Sequence, residues 1–183
     1  EIGWALIRLA YALAWKDAAR AIEMSEESYT HFEATNDTQG MIASLGNRWY
    51  FQGLRNSDLQ PALEMAQQAL QLSRQLDAPM LIATNLARLG RTSIQQGNYD
   101  QAWEYSSEAL ALVRSLKNRL LESEILSHMG IITRNQGDYV RSLAFHEESL
   151  RCHGEINLES ASALLAYEAL GRLAIHMGEW EQG

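Results

Sequence analysis

"LGRTSIQQGNYDQA", residues 89 to 102, returns as "MGIITRNQGDYVRS" at 129 to 142 and as "LGRLAIHMGEWEQG" at 170 to 183. Gly90, Gly130 and Gly171 are separated by 40 and 41 residues, and so are Gly97, Gly137 and Gly178. An aromatic, Tyr99, Tyr139 or Trp180, stands two residues after each of the second set. A sequence that repeats itself at this period is built from stacked supersecondary units, each too small to bury its own apolar face.

The flanking segments repeat with it. "ALEMAQQALQLSRQLDA" (62 to 78) aligns with "AWEYSSEALALVRSLKN" (102 to 118) and with "SLAFHEESLRCHGEIN" (142 to 157), while "AIEMSEESYTHFEATND" (21 to 37) stands 41 residues earlier. Ile82, Leu86, Leu89 and Ser93 follow steps of three and four, as do Leu126, Met129 and Thr133. In the second halves Ala102, Ala109, Leu110, Val113 and Leu116 do likewise, which is the spacing of one helix face. Each unit therefore reads as a helical hairpin, with units at 1–37, 38–77, 78–117, 118–157 and a partial one at 158–183. The chain is expected to be a piece of a longer protein.

Each glycine set has its own expected task. Gly97, Gly137 and Gly178 stand where the first helix stops and suit its left-handed terminus. Asn98, Asp138 and Glu179 follow at the start of the second helix, where such residues favour the N-terminal end. Gly90, Gly130 and Gly171 fall inside the first helix, where glycine costs about 1 kcal/mol relative to alanine. Close approach of the partner helix, with Ala62, Ala102 and Ser142 facing it, accounts for that cost. The pair Gly46 and Gly53 marks an earlier copy that carries four extra residues within 45 to 61, expected as a surface loop.

Composition narrows the function. The 46% hydrophobic content, with two prolines among 183 residues, describes a folded chain without a flexible linker. A formal charge of −8 argues against direct nucleic-acid binding. The most apolar run, 2 to 14, is too short to cross a bilayer and contains Arg8. Cys152 is the only cysteine, which fits a reducing compartment and an expected cytoplasmic location. It occupies the place of Leu72 and Leu112, so it reads as a small core residue.

No phosphate-binding, dinucleotide-binding or zinc-protease motif is present, and no nucleophile has a base beside it. Neither enzymatic activity nor a cofactor is expected. His146 and His153 share a helix side with Glu147 and Cys152 nearby, but they do not make a closed zinc set. The five histidines, His31, His128, His146, His153 and His176, read as surface residues, and no metal is expected.

The residues Leu89, Gly90, Gly97, Tyr99, Ala102, Ala109 and Leu110 resemble the tetratricopeptide repeat, in a long form of about 40 rather than ~34 residues. Repeats of this longer kind resemble those of bacterial signalling ATPases and transcriptional regulators. The resemblance implies an all-α, right-handed superhelix whose concave face is lined by first helices. On that geometry the inward positions are Asn47, Tyr50 and Phe51; Arg91, Ile94 and Gln95; Ile131, Arg134 and Asn135; and Arg172, Ile175 and His176. Tyr11 and Trp15 fall there in the first unit.

The expected partner-binding set is Asn47, Tyr50, Phe51, Arg91, Gln95, Arg134, Asn135, Arg172 and His176. The three arginines suit acidic groups. The competing expectation is that Glu124 and Glu168 pair with them, that at least one of Trp49 and Tyr50 packs in the core, and that Trp4, Trp15, Trp103 and Trp180 pack between repeats. The functional expectation is a scaffold holding a protein or peptide partner, with a ligand- or peptide-sensing regulatory domain as the alternative. No contact with nucleic acid or membrane is expected. Self-association through the terminal repeats is a further expectation.

Overall fold

The computed structural model describes residues 1–55, 58–156 and 171. Eight helices follow one another: α1 (Ile2–Leu13), α2 (Ala18–Ala34), α3 (Thr38–Arg55), α4 (Gln60–Gln75), α5 (Pro79–Gln95), α6 (Tyr99–Ser115), α7 (Arg119–Asn135) and α8 (Tyr139–Ile156). Each helix packs on the next, and the first helices of successive hairpins also touch directly, α1 on α3 and α5 on α7. The fold is an all-α helical repeat superhelix, with no strand among the described residues.

The helix stops recur in a fixed form. Gly97 (φ 78°) and Gly137 (φ 85°) adopt the left-handed conformation at the elbows. Around Gly97 the Asn98 and Gly97 amides donate to the Ser93 and Ile94 carbonyls, and Asp138 and Gly137 repeat this onto Thr133 and Arg134. This paired bonding satisfies carbonyls that the helix leaves free. Asn36, Asp77 and Lys117 take the same conformation between hairpins without being glycine, at φ 54°, 48° and 56°. Asp138 accepts the Arg141 amide at 3.0 Å and so caps α8. Asn98 makes no such cap on α6; its amide reaches Gln96 instead.

The core lies where the three- and four-residue spacing places it. Leu86, Leu89, Ala109, Val113, Ile125 and Leu126 are buried in one cluster that continues to Cys152. Small residues let the helices close up. A Cβ built on Gly90 would lie 2.8 Å from Ser106 Oγ, and one on Gly130 would lie 2.6 Å from His146 Nε2. The nearest side chains are thus Ser106 and His146, one turn beyond Ala102 and Ser142, while the Ala102 carbonyl oxygen lies 3.5 Å from the Gly90 position. Ser142 still contributes by donating to the Gly130 carbonyl at 2.8 Å.

The earlier glycine pair is a correction. Gly46 is the ninth residue of α3, whereas Gly90 and Gly130 are each the twelfth of their helix. The helix runs on through Gly53 to Arg55, so Gly53 is not an elbow. The left-handed residues Asn36, Asp77 and Lys117 show that this hairpin is only one residue longer than the next. The apparent insertion is therefore a Leu-Gly pair placed almost one turn early, not a four-residue loop.

Two histidine expectations fail as well. His128 and His146 are 8% and 2% exposed, because each sits where a neighbouring helix closes over it. His31 is exposed, and the side chains of His153 and His176 lie outside the described residues. Trp15 is 80% exposed and packs between no repeats. Trp4 meets Phe32 edge-on, and Trp103 meets Phe145 in the same way. Trp180 lies outside the described residues.

Candidate partner-binding groove

The displaced register of α3 decides which residues reach the inner face. Phe51 is fully buried against Ala10, Ala14, Ala21 and Met24 and offers no surface to a partner. Asn47 is 5% exposed, with its Nδ2 unpaired. Both were placed by counting from Gly46, and the early position of that glycine turned them inward. Tyr50 remains half-buried and stacks on Tyr11 with ring centroids 6.1 Å apart.

Tyr50, Arg91 and Gln95 come together. With Trp49, Gly53 and Ala62 they wall a cavity of about 60 Å³ between α3, α4 and α5. Arg134 and Asn135 lie one repeat further along, at the end of α7, where Asn135 is exposed and Arg134 half-buried. Asn135 turns its amide back onto the Ile131 carbonyl at 2.7 Å. Arg172, Ile175 and His176 lie outside the described residues.

Two residues outside the expected binding set, Arg88 and Trp49, also stand on this face. Arg88, one turn before Arg91, lies over the Trp49 ring at 5.4 Å from its centroid, and Arg91 lies over the same ring at 5.7 Å. Such stacking on an indole face attracts a cation by about 0.5–2 kcal/mol. The indole N–H of Trp49 donates to Thr92 Oγ1 at 2.9 Å, which locks the ring against α5. Arg88 Nη1 donates to Asn85 Oδ1 at 2.8 Å, and the buried Asn85 amide is itself bound to Ser73 Oγ and the Leu81 carbonyl. The signal was present in sequence: Arg88 and Arg91 are three apart on one helix, and Trp49 precedes Tyr50.

Electrostatics on this face are unbalanced. Among the described residues, Arg20, Arg48, Arg74, Arg114, Arg119 and Arg141 each have a carboxylate within 4 Å. Arg88, Arg91 and Arg134 have none there, and Glu124 forms no ion pair with any of them. Burial pushes the Arg88 guanidinium below its usual pKa, with Tyr11 and Glu124 opposing the shift. It stays protonated, because arginine does not titrate in proteins. Burial likewise lowers His128, which Glu124 opposes and Arg91 reinforces. No group of three His, Cys, Asp or Glu side chains placed to hold a metal occurs among the described residues. No described helix is long and apolar enough to cross a membrane.

Residues 80–155 match the tetratricopeptide repeat family. No curated protein matches the chain. Among solved structures, the fold is similar to a signal transduction ATPase with numerous domains from Pyrococcus horikoshii that carries a tetratricopeptide repeat sensor. That likeness has a TM-score of 0.76 at 17% identity, over 91% of this chain and 25% of the other. The chain thus spans about a quarter of that protein's length. It is similar to the apo form of RapI with a TM-score of 0.77 at 15% identity, over 96% of this chain and 70% of RapI. It is also similar to BtubC from P. vanneervenii with a TM-score of 0.59 at 17% identity, over 98% and 83% of the two chains. The alternating helices and the recurrent left-handed stops agree with the match to tetratricopeptide repeats over 80–155.

Proposed function

We propose that this chain is a protein-interaction module that holds an extended or helical segment of a partner along the face formed by α1, α3, α5 and α7. The observation that carries this reading is the cavity between α3 and α5, where Tyr50, Arg91 and Gln95 offer an aromatic surface, a cation and an amide side by side. A space of about 60 Å³ suits one small side chain rather than a whole cofactor. Arg134 and Asn135 extend the polar surface along α7, so the partner is bound over more than one repeat.

The test is selection of peptides from a random display library on the immobilised chain. Selected peptides are then measured against Arg91→Glu and against Arg20→Glu, a control on α2. Binding lost in the first and kept in the second supports the inner-face assignment. An equal effect in both variants, or no selectable peptide at all, sinks it. A ligand-induced thermal shift with small metabolites, in the absence of peptide binding, replaces this reading with the sensor one.

A further inference from the structure

On the outer side of the array, the second helices α4 and α6 leave an open cleft of about 530 Å³ between them. Its buried floor is Leu70 of α4 and Leu89 of α5, and Tyr105 of α6 lines the far wall. The near wall is a row of amides, Gln67, Gln71 and Gln75, at steps of four along α4. Residues at that spacing share one face of a helix.

The repeat does not demand this row. In α6, forty residues on, the same places hold Ser107, Ala111 and Ser115, and in α2 they hold Glu26, Thr30 and Ala34. Tyr105 stands where the neighbouring second helices have Met65 and Phe145. The floor, by contrast, recurs in the next hairpin as Leu110 and Met129, both buried. Core packing therefore accounts for the floor and leaves the polar walls unexplained.

Folding makes no use of the three amides either. Gln60 and Gln68 of α4 donate to Glu64 and to Tyr29. Gln67, Gln71 and Gln75 have no hydrogen-bond partner among the described residues. Arg74, the charged residue of the lining, is paired with Glu108 of α6 at 2.9 Å. The cleft thus suits a neutral ligand that both donates and accepts hydrogen bonds above an apolar floor.

Spacing narrows the class of ligand. Positions four apart stand about 6 Å apart along a helix axis. An extended polypeptide presents the N–H and C=O of every second residue on one edge, about 6.6 Å apart. A glutamine amide carries a donor and an acceptor to meet each such pair. We propose that the cleft between α4 and α6 binds an extended polypeptide segment, read through its main chain by Gln67, Gln71 and Gln75. Side chains at alternate positions of the segment rest on Leu70, Leu89 and Tyr105. This surface is separate from the inner face and needs neither Tyr50 nor Arg91.

The side-chain amide signals of the three glutamines, assigned with Gln67→Ala, Gln71→Ala and Gln75→Ala variants, report on the site by nuclear magnetic resonance at millimolar ligand. The probes are a blocked heptapeptide alternating serine and valine, the same peptide N-methylated at its valines, a third N-methylated at its serines, and maltose. The expected result is a saturable shift with the unmodified peptide. One methylated form should keep it and the other lose it, because only one edge of the segment faces α4. Affinity should fall by about tenfold or more in Gln71→Ala and stay unchanged in Arg91→Glu. Thermal stability should remain that of the parent in Gln71→Ala, since Gln71 is exposed.

No shift with the unmodified peptide, equal shifts with both methylated forms, or unchanged affinity in Gln71→Ala overturns the proposal. A shift with maltose alone also overturns it and assigns the cleft to carbohydrate. Peptide affinity lost in Arg91→Glu and kept in Gln71→Ala puts the peptide on the inner face, which removes this site and leaves the groove reading standing.

Discussion

The imidazole of His146 occupies the space that a side chain on Gly130 would need. A Cβ at Gly130 would lie 2.6 Å from Nε2, with two ring carbons within 2.9 Å. In the preceding hairpin the same contact is made by Gly90 and Ser106, where only the Ser106 hydroxyl oxygen comes so close. The two hairpins therefore pose one substitution experiment with different answers.

Gly130→Ala forces a rigid, buried ring to move and should destabilise the chain by about 1–3 kcal/mol despite the better helix former. Gly90→Ala should cost less, because Ser106 Oγ has one rotor with which to turn away. The double variant Gly130→Ala/His146→Ser should recover most of the loss in a urea-unfolding cycle. Additive losses in that cycle would mean the two residues do not compete for the same space.

His146 also makes stability depend on pH. Burial, reinforced by Arg134, lowers its pKa from 6.5 to about 4, and neither ring nitrogen has a partner. The unfolded chain therefore binds a proton more readily than the folded one. The stabilisation is complete above pH 6.5 and is lost as pH falls towards 4, by up to about 3 kcal/mol. Denaturation curves from pH 7 to 4 should show a shallower decline in His146→Leu than in the parent chain. The slope that remains includes His128, which burial shifts in the same direction.

Glu122 joins three helices. Its side chain is 3% exposed and receives Arg114 at 2.9 Å and Arg119 at 2.8 Å, while Arg114 also reaches Glu148 on α8 at 2.6 Å. Burial alone would raise its pKa, but the hydrogen bonds and charges of the two arginines outweigh burial and lower it. Glu122→Gln keeps the shape and removes the charge, so it should cost about 1–2 kcal/mol at neutral pH. The difference from the parent should vanish as pH falls below the carboxylate range, since the parent glutamate is then protonated too. A penalty that persists at low pH would assign the effect to shape.

Lys117 adopts the left-handed conformation at φ 56°, where a side chain is disfavoured and glycine is not. Lys117→Gly should stabilise the chain by roughly 0.5–1 kcal/mol. Gly97→Ala, at φ 78°, should have the opposite sign by a similar or larger amount. Thermal melts of the two variants decide this.

The all-α repeat architecture and the described core were legible in the sequence because they follow from local periodicity. The steps of three and four that bury Leu86, Leu89 and Leu126, and the elbow glycines Gly97 and Gly137, each depend on a few neighbouring residues. The groove was less legible. Counting from a glycine assumes that every Leu-Gly pair has the same place in its helix, and Gly46 does not. Three residues of displacement turn a helix through most of a revolution, which carried Phe51 into the core and left Trp49 beneath the two arginines.

The sequence by itself determined that this chain is a stack of helical hairpins, since a helix face and a helix stop are written within one or two turns of backbone. Only the tertiary structure decided which side chains share the inner face. That depends on the rotation of α3 against α5, set by long-range contacts such as Trp49 on Thr92 and Arg88 against Gly46. Contacts forty residues apart in sequence leave no periodic trace, so packing alone could assign them.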